Sequence, residues 1–368
     1  MASTKGNTVK ATRCRSGALA AFVVLVLASA ASAQVLYTFT DLGPIDRDDP
    51  FPLAINDAGQ VVGRGENNHA FLYDGGVMHD LGTLPGGNNS SAFDINNSGQ
   101  VVGQSFTGSQ NHAFLYRAGA MQDLDTPGAL RSEAWGINDN GQVVGYATTT
   151  VGGYHYYAFL YSGGAMQDLG TLPGCTSSQA TAINGSGTVV GSASGNAFIY
   201  SEGVMRALGG LGGTESEAWD INDGGQVVGC AKTAAGVTHA FLYSGGVMQD
   251  LGPHAAGWSA AYGINNAGQV VGSYNVGGSH PAFLYSDGVM TDLHALIDPD
   301  SEWTHTYAYE RAYDINNLGQ IVGISTDMEH YRGFLLTPIP EPATLSLLAL
   351  GGLALLGRRR VAALTGRP

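Results

Sequence analysis

Three cysteines in 368 residues are too few for a disulfide framework. Cys14 falls in a basic N-terminal stretch, while Cys175 and Cys230 stand where other repeat units carry different residues. Two unpaired thiols are therefore expected, since nothing in the spacing places the pair within bridging distance. Basic residues are scarce too, at 16 Lys and Arg against 30 Asp and Glu for a net charge of −14. Four of those bases lie near each terminus, so residues 34–337 hold 29 acids against 8 bases, a balance near −21. That excludes nucleic acid as a partner, because phosphates demand a basic surface. Charged residues make up only 12%, yet 44% hydrophobic residues and 55 glycines describe a turn-rich β chain rather than a disordered one. No Gly-Lys phosphate loop, serine elbow or Cys/His metal spacing is present.

The two ends read as processing segments. Lys5, Lys10, Arg13 and Arg15 precede an apolar run at residues 18–28, and Ala31-Ser32-Ala33 then stands before Gln34. A basic region, a short apolar region and a small-x-small site predict a secretory signal peptide over residues 1–33, cut by signal peptidase between Ala33 and Gln34. At the other end Pro340-Glu341-Pro342 is followed by a nearly continuous apolar run at residues 343–356 and by Arg358-Arg359-Arg360. This order resembles the PEP-CTERM sorting signal of Gram-negative, exopolysaccharide-producing bacteria. The resemblance implies recognition over residues 338–368 by an exosortase-type membrane transpeptidase. As a helix the apolar run would span about 21 Å, short of a bilayer core of roughly 30 Å. With arginines held inside, it suits a transient transmembrane segment better than an ordinary permanent anchor. The expected destination is the cell surface or the extracellular matrix.

Between these ends one pattern recurs. Ile-Asn-x-x-Gly-Gln-Val-Val-Gly, His-Ala-Phe-Leu-Tyr and Met-x-Asp-Leu-Gly first appear complete within residues 55–82. The repeated asparagine falls at Asn56, Asn96, Asn138, Asn184, Asn222, Asn265 and Asn316. Each unit reads as four short strands: Ala-aromatic-x-Ile, Gln-Val-Val-Gly, His-Ala-Phe-Leu-Tyr and Val-Met-x-Asp-Leu. Asn-x-x-Gly and paired glycines supply the turns, and no unit shows helical periodicity. Four strands in each of seven units predict an all-β, seven-bladed β-propeller over residues 34–337. The last unit lacks its Met-x-Asp-Leu-Gly strand, but Tyr37-Thr38-Phe39-Thr40-Asp41-Leu42-Gly43 at the start matches it. One N-terminal strand would then complete the seventh blade and close the ring. A linear β-solenoid is the alternative, and it leaves the split unit unexplained.

The repeat resembles the HAF-repeat family of extracellular bacterial proteins, through His69-Ala70-Phe71, His112-Ala113-Phe114 and His239-Ala240-Phe241. Tyr157, Asn196, Pro281 and Gly333 replace the histidine elsewhere. The resemblance implies a localisation and a shape, and no activity.

Histidines spread over separate blades cannot gather one ion, so each is expected to cap its own hairpin. Asp94-x-Asn96-x-Ser98-Gly99 and Asp220-x-Asn222-x-Gly224-Gly225 partly imitate a calcium loop. Ala54, Gly136, Ala182 and Gly263 replace the Asp elsewhere and no bidentate Glu follows, which leaves loose calcium binding at most and no assigned cofactor or metal. Phe93, Trp135, Trp219, Tyr262 and Tyr313 stand two residues before the repeated Ile. Regular alternation would put them on its face, packing between blades; sugar-stacking platforms are the functional alternative. Met78, Met121, Met166, Met205, Met248 and Met290 are expected to fill core. Asp41, Asp80, Asp123, Asp168, Asp250 and Asp292 recur alike in the blades, as structural hydrogen-bond acceptors do. Catalysis needs unequal residues gathered once, and no spacing pairs Glu133, Glu217 or Glu310 with a nucleophile or base. No catalytic residue is assigned. A non-enzymatic surface protein binding exopolysaccharide or extracellular protein through its loop faces is expected. A carbohydrate hydrolase or lyase and an envelope spacer are the alternatives. Ligand contacts are expected where the repeat fails: residues 298–311, residues 148–156 and the neighbourhood of Cys175.

Overall fold

A strand alternates its side chains between two faces, so the consecutive valines of each repeat must serve both sides of one sheet. The structure, a computed structural model, describes residues 35–45, 51–124, 129–149, 155–252, 257–299, 309–326 and 331–340. Residues 1–34, which include the expected signal peptide, and residues 341–368 lie outside them. The described residues form seven separate four-stranded sheets. Within the first blade, Phe51–Ile55, Val61–Arg64, Ala70–Asp74 and Val77–Asp80 pair antiparallel in chain order. The innermost strands of the next five blades are Ser90–Ile95, Arg131–Ile137, Gln179–Ile183, Gly212–Ile221 and Ser259–Ile264. Tyr309–Ile315 is innermost in the seventh. Each of these strands touches the innermost strands of both neighbouring blades, so together they surround one axis.

The core lies between blades. Val61 joins Leu42, Val322 and Leu335 in one apolar cluster, while Val62 joins Ile95, Val101 and Phe114 in the next. Seven such clusters fill the seven interfaces. The repeated Phe of the third strand is 2% exposed or less in every blade. Burying one phenyl ring stabilises the fold by roughly 1.5–3 kcal/mol, so these seven rings act as the main apolar anchors. The glycine after the valines is dictated by space. A Cβ on Gly145 would come within 1.9 Å of the Glu133 carbonyl oxygen, and its equivalents meet the same obstacle.

The ring closes as the split unit predicts. Tyr37–Ile45 runs antiparallel to Tyr331–Pro338 from Tyr37↔Pro338 to Ile45↔Tyr331 and forms the outer edge of the seventh blade. The Ile339 amide adds a bond to the Leu36 carbonyl. Linking the two ends of the chain in one sheet removes an open interface that would otherwise expose apolar surface.

The Asn-x-x-Gly turns form as expected, with Gly59, Gly99, Gly141, Gly187, Gly225, Gly268 and Gly319 at φ between 72° and 83°. Their asparagines do more than turn the chain. The Asn138 side-chain oxygen accepts the Asn140 and Gln142 amides, and its NH2 donates to the Gln142 side chain and to the Asn184 carbonyl of the next blade. The same blade-to-blade bond recurs seven times at 2.9–3.1 Å, ending with Asn316 donating to the Asn56 carbonyl. All seven asparagines are 5% exposed or less. Asn138→Ala strands two turn amides and takes one of two donors from the Asn184 carbonyl, which keeps the Gly187 amide, so unfolding in urea should show a loss of about 1–3 kcal/mol. A loss below about 0.5 kcal/mol would make the ring incidental.

Candidate functional site

Every innermost strand contains a β-bulge at the same place. The pairing register shifts across Leu53, Phe93, Trp135, Thr181, Trp219, Tyr262 and Tyr313. A bulge sets two residues opposite one and re-aims their side chains. In the second blade Ala92 and Ile95 both enter the interblade core, while Phe93 and Asp94 between them are left only half-buried. The expectation that the aromatics share the isoleucine face is thus corrected. They do pack against neighbouring blades, but around the axis.

There the rings form two arcs. Trp219 lies parallel to Tyr262 with centroids 4.9 Å apart, Tyr262 is 5.6 Å from Tyr313, and Tyr313 is 5.3 Å from Phe51. Phe93 meets Trp135 at 5.9 Å, and Trp135 continues outward along its blade to Tyr146 and Tyr156. Leu53 and Thr181 occupy the bulge position in the first and fourth blades. Trp135 is 36% exposed, and Phe93, Trp219, Tyr262 and Tyr313 keep part of their rings open. Both tryptophans sit in the same Ser-Glu-Ala-Trp sequence. Trp135 Nε1 donates to Glu133 at 2.9 Å, and Trp219 Nε1 donates to Glu217 at 3.3 Å. Arg131 binds the other Glu133 oxygen. The Arg311 guanidinium stands 5.9 Å from the Tyr262 ring centre, within cation–π range.

One residue nearer the asparagine ring, three blades carry aspartate at the second bulge position. Asp94 accepts the Ile95 and Ile137 amides, Asp220 those of Ile221 and Ile264, and Asp314 those of Ile315 and Ile55. Each carboxylate therefore clamps its own blade to the next. The next blade carries Gly136, Gly263 or Ala54 at that position. Burial, then the charge of Asp220, pushes Asp314 up to about 7; burial pushes Asp220 up to about 6. Asp94 is raised by burial and by repulsion from Asp314 and Asp220. The three line a cavity of about 200 Å³ together with the asparagine turns and Asp57, Asp139 and Asp223, and no base lines it.

The remaining sequence candidates are structural. His69, His112 and His239 place Nδ1 2.7–3.0 Å from Asp80, Asp123 and Asp250, eleven residues on in their own blades. Burial pushes the Asp80 carboxyl up, but the Gly82 amide and the His69 ring outweigh it and hold it below its ordinary value. Asp41, Asp168 and Asp250 likewise accept the amide two residues on. The fourth blade lacks both partners, with Asn196 and Ala207 in their places. Met121, Met166, Met205, Met248 and Met290 pack half-buried against the interblade clusters, while Met78 is 40% exposed, so core filling overstates their role. Asn96 and Asn222 spend their side-chain oxygens on their own turn amides, as the calcium-like aspartates do on isoleucine amides. Among the described residues no three His, Cys, Asp or Glu side chains gather closely enough for a metal. Cys175 and Cys230 are both free. Burial, then the Glu217 charge, pushes the Cys230 thiol up to about 12.

The three non-repeat glutamates do not meet at one point. Glu310, raised to about 7 by burial and then by Asp292, faces the Ala282 amide between blades. It replaces a serine that recurs unnoticed in the sequence: Ser90, Ser132, Ser178, Ser216 and Ser259 each accept the third-strand alanine amide of the preceding blade. Glu133 is 3% exposed, and Glu217 is open. Of the loops expected to carry function, residues 150–154 and 300–308 lie outside the described residues. Cys175 packs against the fourth-blade cluster.

The architecture defines the chain as a seven-bladed β-propeller of four-stranded antiparallel blades. Residues 338–360 match the PEP-CTERM protein-sorting motif, the recognition signal for exosortase processing, which marks the chain for export and transient anchoring through its C-terminal tail. Among the described residues no helix is long and apolar enough to cross a membrane, and residues 343–356 lie outside them. No curated protein sequence matches the chain. Among solved structures, an extracellular domain from B. thetaiotaomicron described as part of a one component system aligns with TM-score 0.52 and 12% identity. That alignment covers 83% of this chain and 40% of the other, so the chain spans well under half of that protein. The β-propeller domain of the Trilobed protease from Pyrococcus furiosus aligns with TM-score 0.49 and 9% identity over 82% of this chain and 93% of that domain. Such identities show likeness of fold alone.

The raised carboxyls at the axis and between blades have a pH consequence. Asp220, Asp314 and Glu310 bind protons more tightly folded than unfolded, so their contribution is complete below about pH 4 and lost as pH rises through about 6–7. The melting temperature should rise as pH falls from about 8 to about 5, and Asp314→Asn should flatten that slope whatever it does to absolute stability. A melting temperature that falls steadily over this interval would contradict the assignment.

Proposed function

We propose that this exported propeller binds carbohydrate of the extracellular matrix at its axial aromatic collar, without turning it over. The observation that carries the reading is the set of bulges that turns Phe93, Trp135, Trp219, Tyr262 and Tyr313 out of the core with their rings partly open. Exposing large rings costs apolar burial that regular alternation would have secured, whereas sugar rings stack on such faces through their C–H bonds. The export signal supports the choice of ligand, because it directs the chain to a compartment where polysaccharide is the abundant polymer. Resemblance of the repeats to extracellular HAF proteins agrees with that destination.

A hydrolase or lyase would call for two carboxylates facing one substrate. Glu310 is engaged between blades, Glu133 is enclosed by Arg131 and Trp135, and the axial Asp94, Asp220 and Asp314 are spent on isoleucine amides, which favours binding over catalysis. An exosortase-type membrane transpeptidase reading Pro340-Glu341-Pro342 and the arginines at 358–360 would then release the propeller at the surface.

Glycan-array and titration binding of the purified propeller tests the reading. Trp135→Ala with Trp219→Ala should weaken binding by about tenfold or more while leaving the β-sheet circular dichroism unchanged. Failure of the unmodified protein to bind any matrix glycan would sink it. Removing residues 341–368 should give a folded protein free in the medium, and retention at the envelope would contradict the sorting role.

A further inference from the structure

The inner strands that carry the collar hold more acids than bases. Among the described residues, the two inner strands of all seven blades carry Asp94, Glu133, Glu215, Glu217, Asp220, Glu310 and Asp314 against four bases. Three of those four bases are engaged. Arg131 binds Glu133, Lys232 pairs with Glu215 at 2.8 Å, and Arg311 stands over the Tyr262 ring. The fourth, Arg64, lies across from Phe51 at the far end of the longer arc from Trp219. Glu133 and Glu215 are paired with two of those bases, and burial holds Asp94, Asp314 and Glu310 toward their neutral form, so the open carboxylate that an incoming carboxylate or sulfate would meet beside Trp219 is Glu217.

Glu217 is the collar carboxylate placed to act on a ligand. Its Oε2 accepts Trp219 Nε1 at 3.3 Å, a long bond that leaves the other oxygen and further lone pairs available, and the residue is exposed. Its twin Glu133 has both oxygens engaged and is 3% exposed. Trp219 stacks on Tyr262, each covering one face of the other, so a half-buried aromatic pair and an acceptor carboxylate stand together at one point. A carboxylate accepts hydroxyl hydrogens through short, charge-assisted bonds. A sugar hydroxyl supplies that hydrogen and a uronate carboxylate does not.

We infer that the Trp219–Tyr262–Glu217 cluster is a subsite for an uncharged glycan, and that Glu217 sets the preference by accepting a sugar hydroxyl and repelling acidic sugars. This inference rests on the carbohydrate reading above, and the test separates the two. The secreted protein, whose ring is complete between Tyr37 and Pro338, is titrated with cello-, manno- and xylo-oligosaccharides and with oligogalacturonates and oligo-alginates of equal length. Tryptophan fluorescence and calorimetry report binding. At least one uncharged series should bind, with the acidic series weaker by about tenfold or more at low salt and the gap narrowing as salt screens the repulsion.

Glu217→Gln keeps the Trp219 partner and the volume. It should weaken the uncharged ligand by about tenfold, strengthen the acidic one, and leave the melting curve nearly unchanged. Equal or tighter binding of the acidic series would overturn the assigned class while leaving the collar as a carbohydrate site. An unaltered preference in Glu217→Gln would remove that residue from the role. No binding of either series would overturn the site itself.

Discussion

Seven side-chain amides hold this propeller shut at its axis. Each asparagine closes its own turn with its oxygen and reaches the next blade with its NH2, so local and long-range order are set by one group. Because the donors and acceptors are buried, breaking one link leaves unsatisfied polar groups rather than merely losing a bond. The seventh link, from Asn316 to Asn56, joins residues 260 positions apart and works alongside the N-terminal strand that completes the last blade. Closure is thus made twice, at the axis by amides and at the rim by a backbone ladder.

The bulges connect this scaffold to function. A regular inner strand could bury its aromatics but could not also hold an alanine and an isoleucine three positions apart on the core face. The extra residue lets Ala92 and Ile95 both pack while Phe93 and Asp94 face the axis. The invariant glycine on the next strand makes room for the inner-strand carbonyl beside each bulge. Core packing and axial chemistry are therefore consequences of one backbone irregularity, repeated seven times.

Much of this was legible in the residues. Four strand patterns in each unit, the split seventh unit and the Asn-x-x-Gly turns specify blades, number and closure. Recurrence of Asp80 and its equivalents marks them as structural, and His69 indeed pairs with Asp80. The collar was not legible, because a bulge changes the face of a side chain without changing the spacing of the hydrophobic residues around it. The signal was present in a weaker form: Asp94, Asp220 and Asp314 are each followed in the next blade by Gly136, Gly263 or Ala54, a large-against-small alternation that implies contact across blades. The recurring Ser of Ser-x-Ala was equally visible, but a hydroxyl that serves the preceding blade has no partner near it in sequence.

What the chain determined by itself is the repeat, and the repeat is local chemistry: turn formers, paired valines, a buried phenylalanine, a missing strand supplied from the start. The tertiary structure decided which side chains face the axis, which carboxylates clamp neighbouring blades, and which glutamate is open beside Trp219. Those outcomes depend on contacts between residues about forty or more positions apart. Periodicity within one strand carries no information about where the neighbouring blade will place its own.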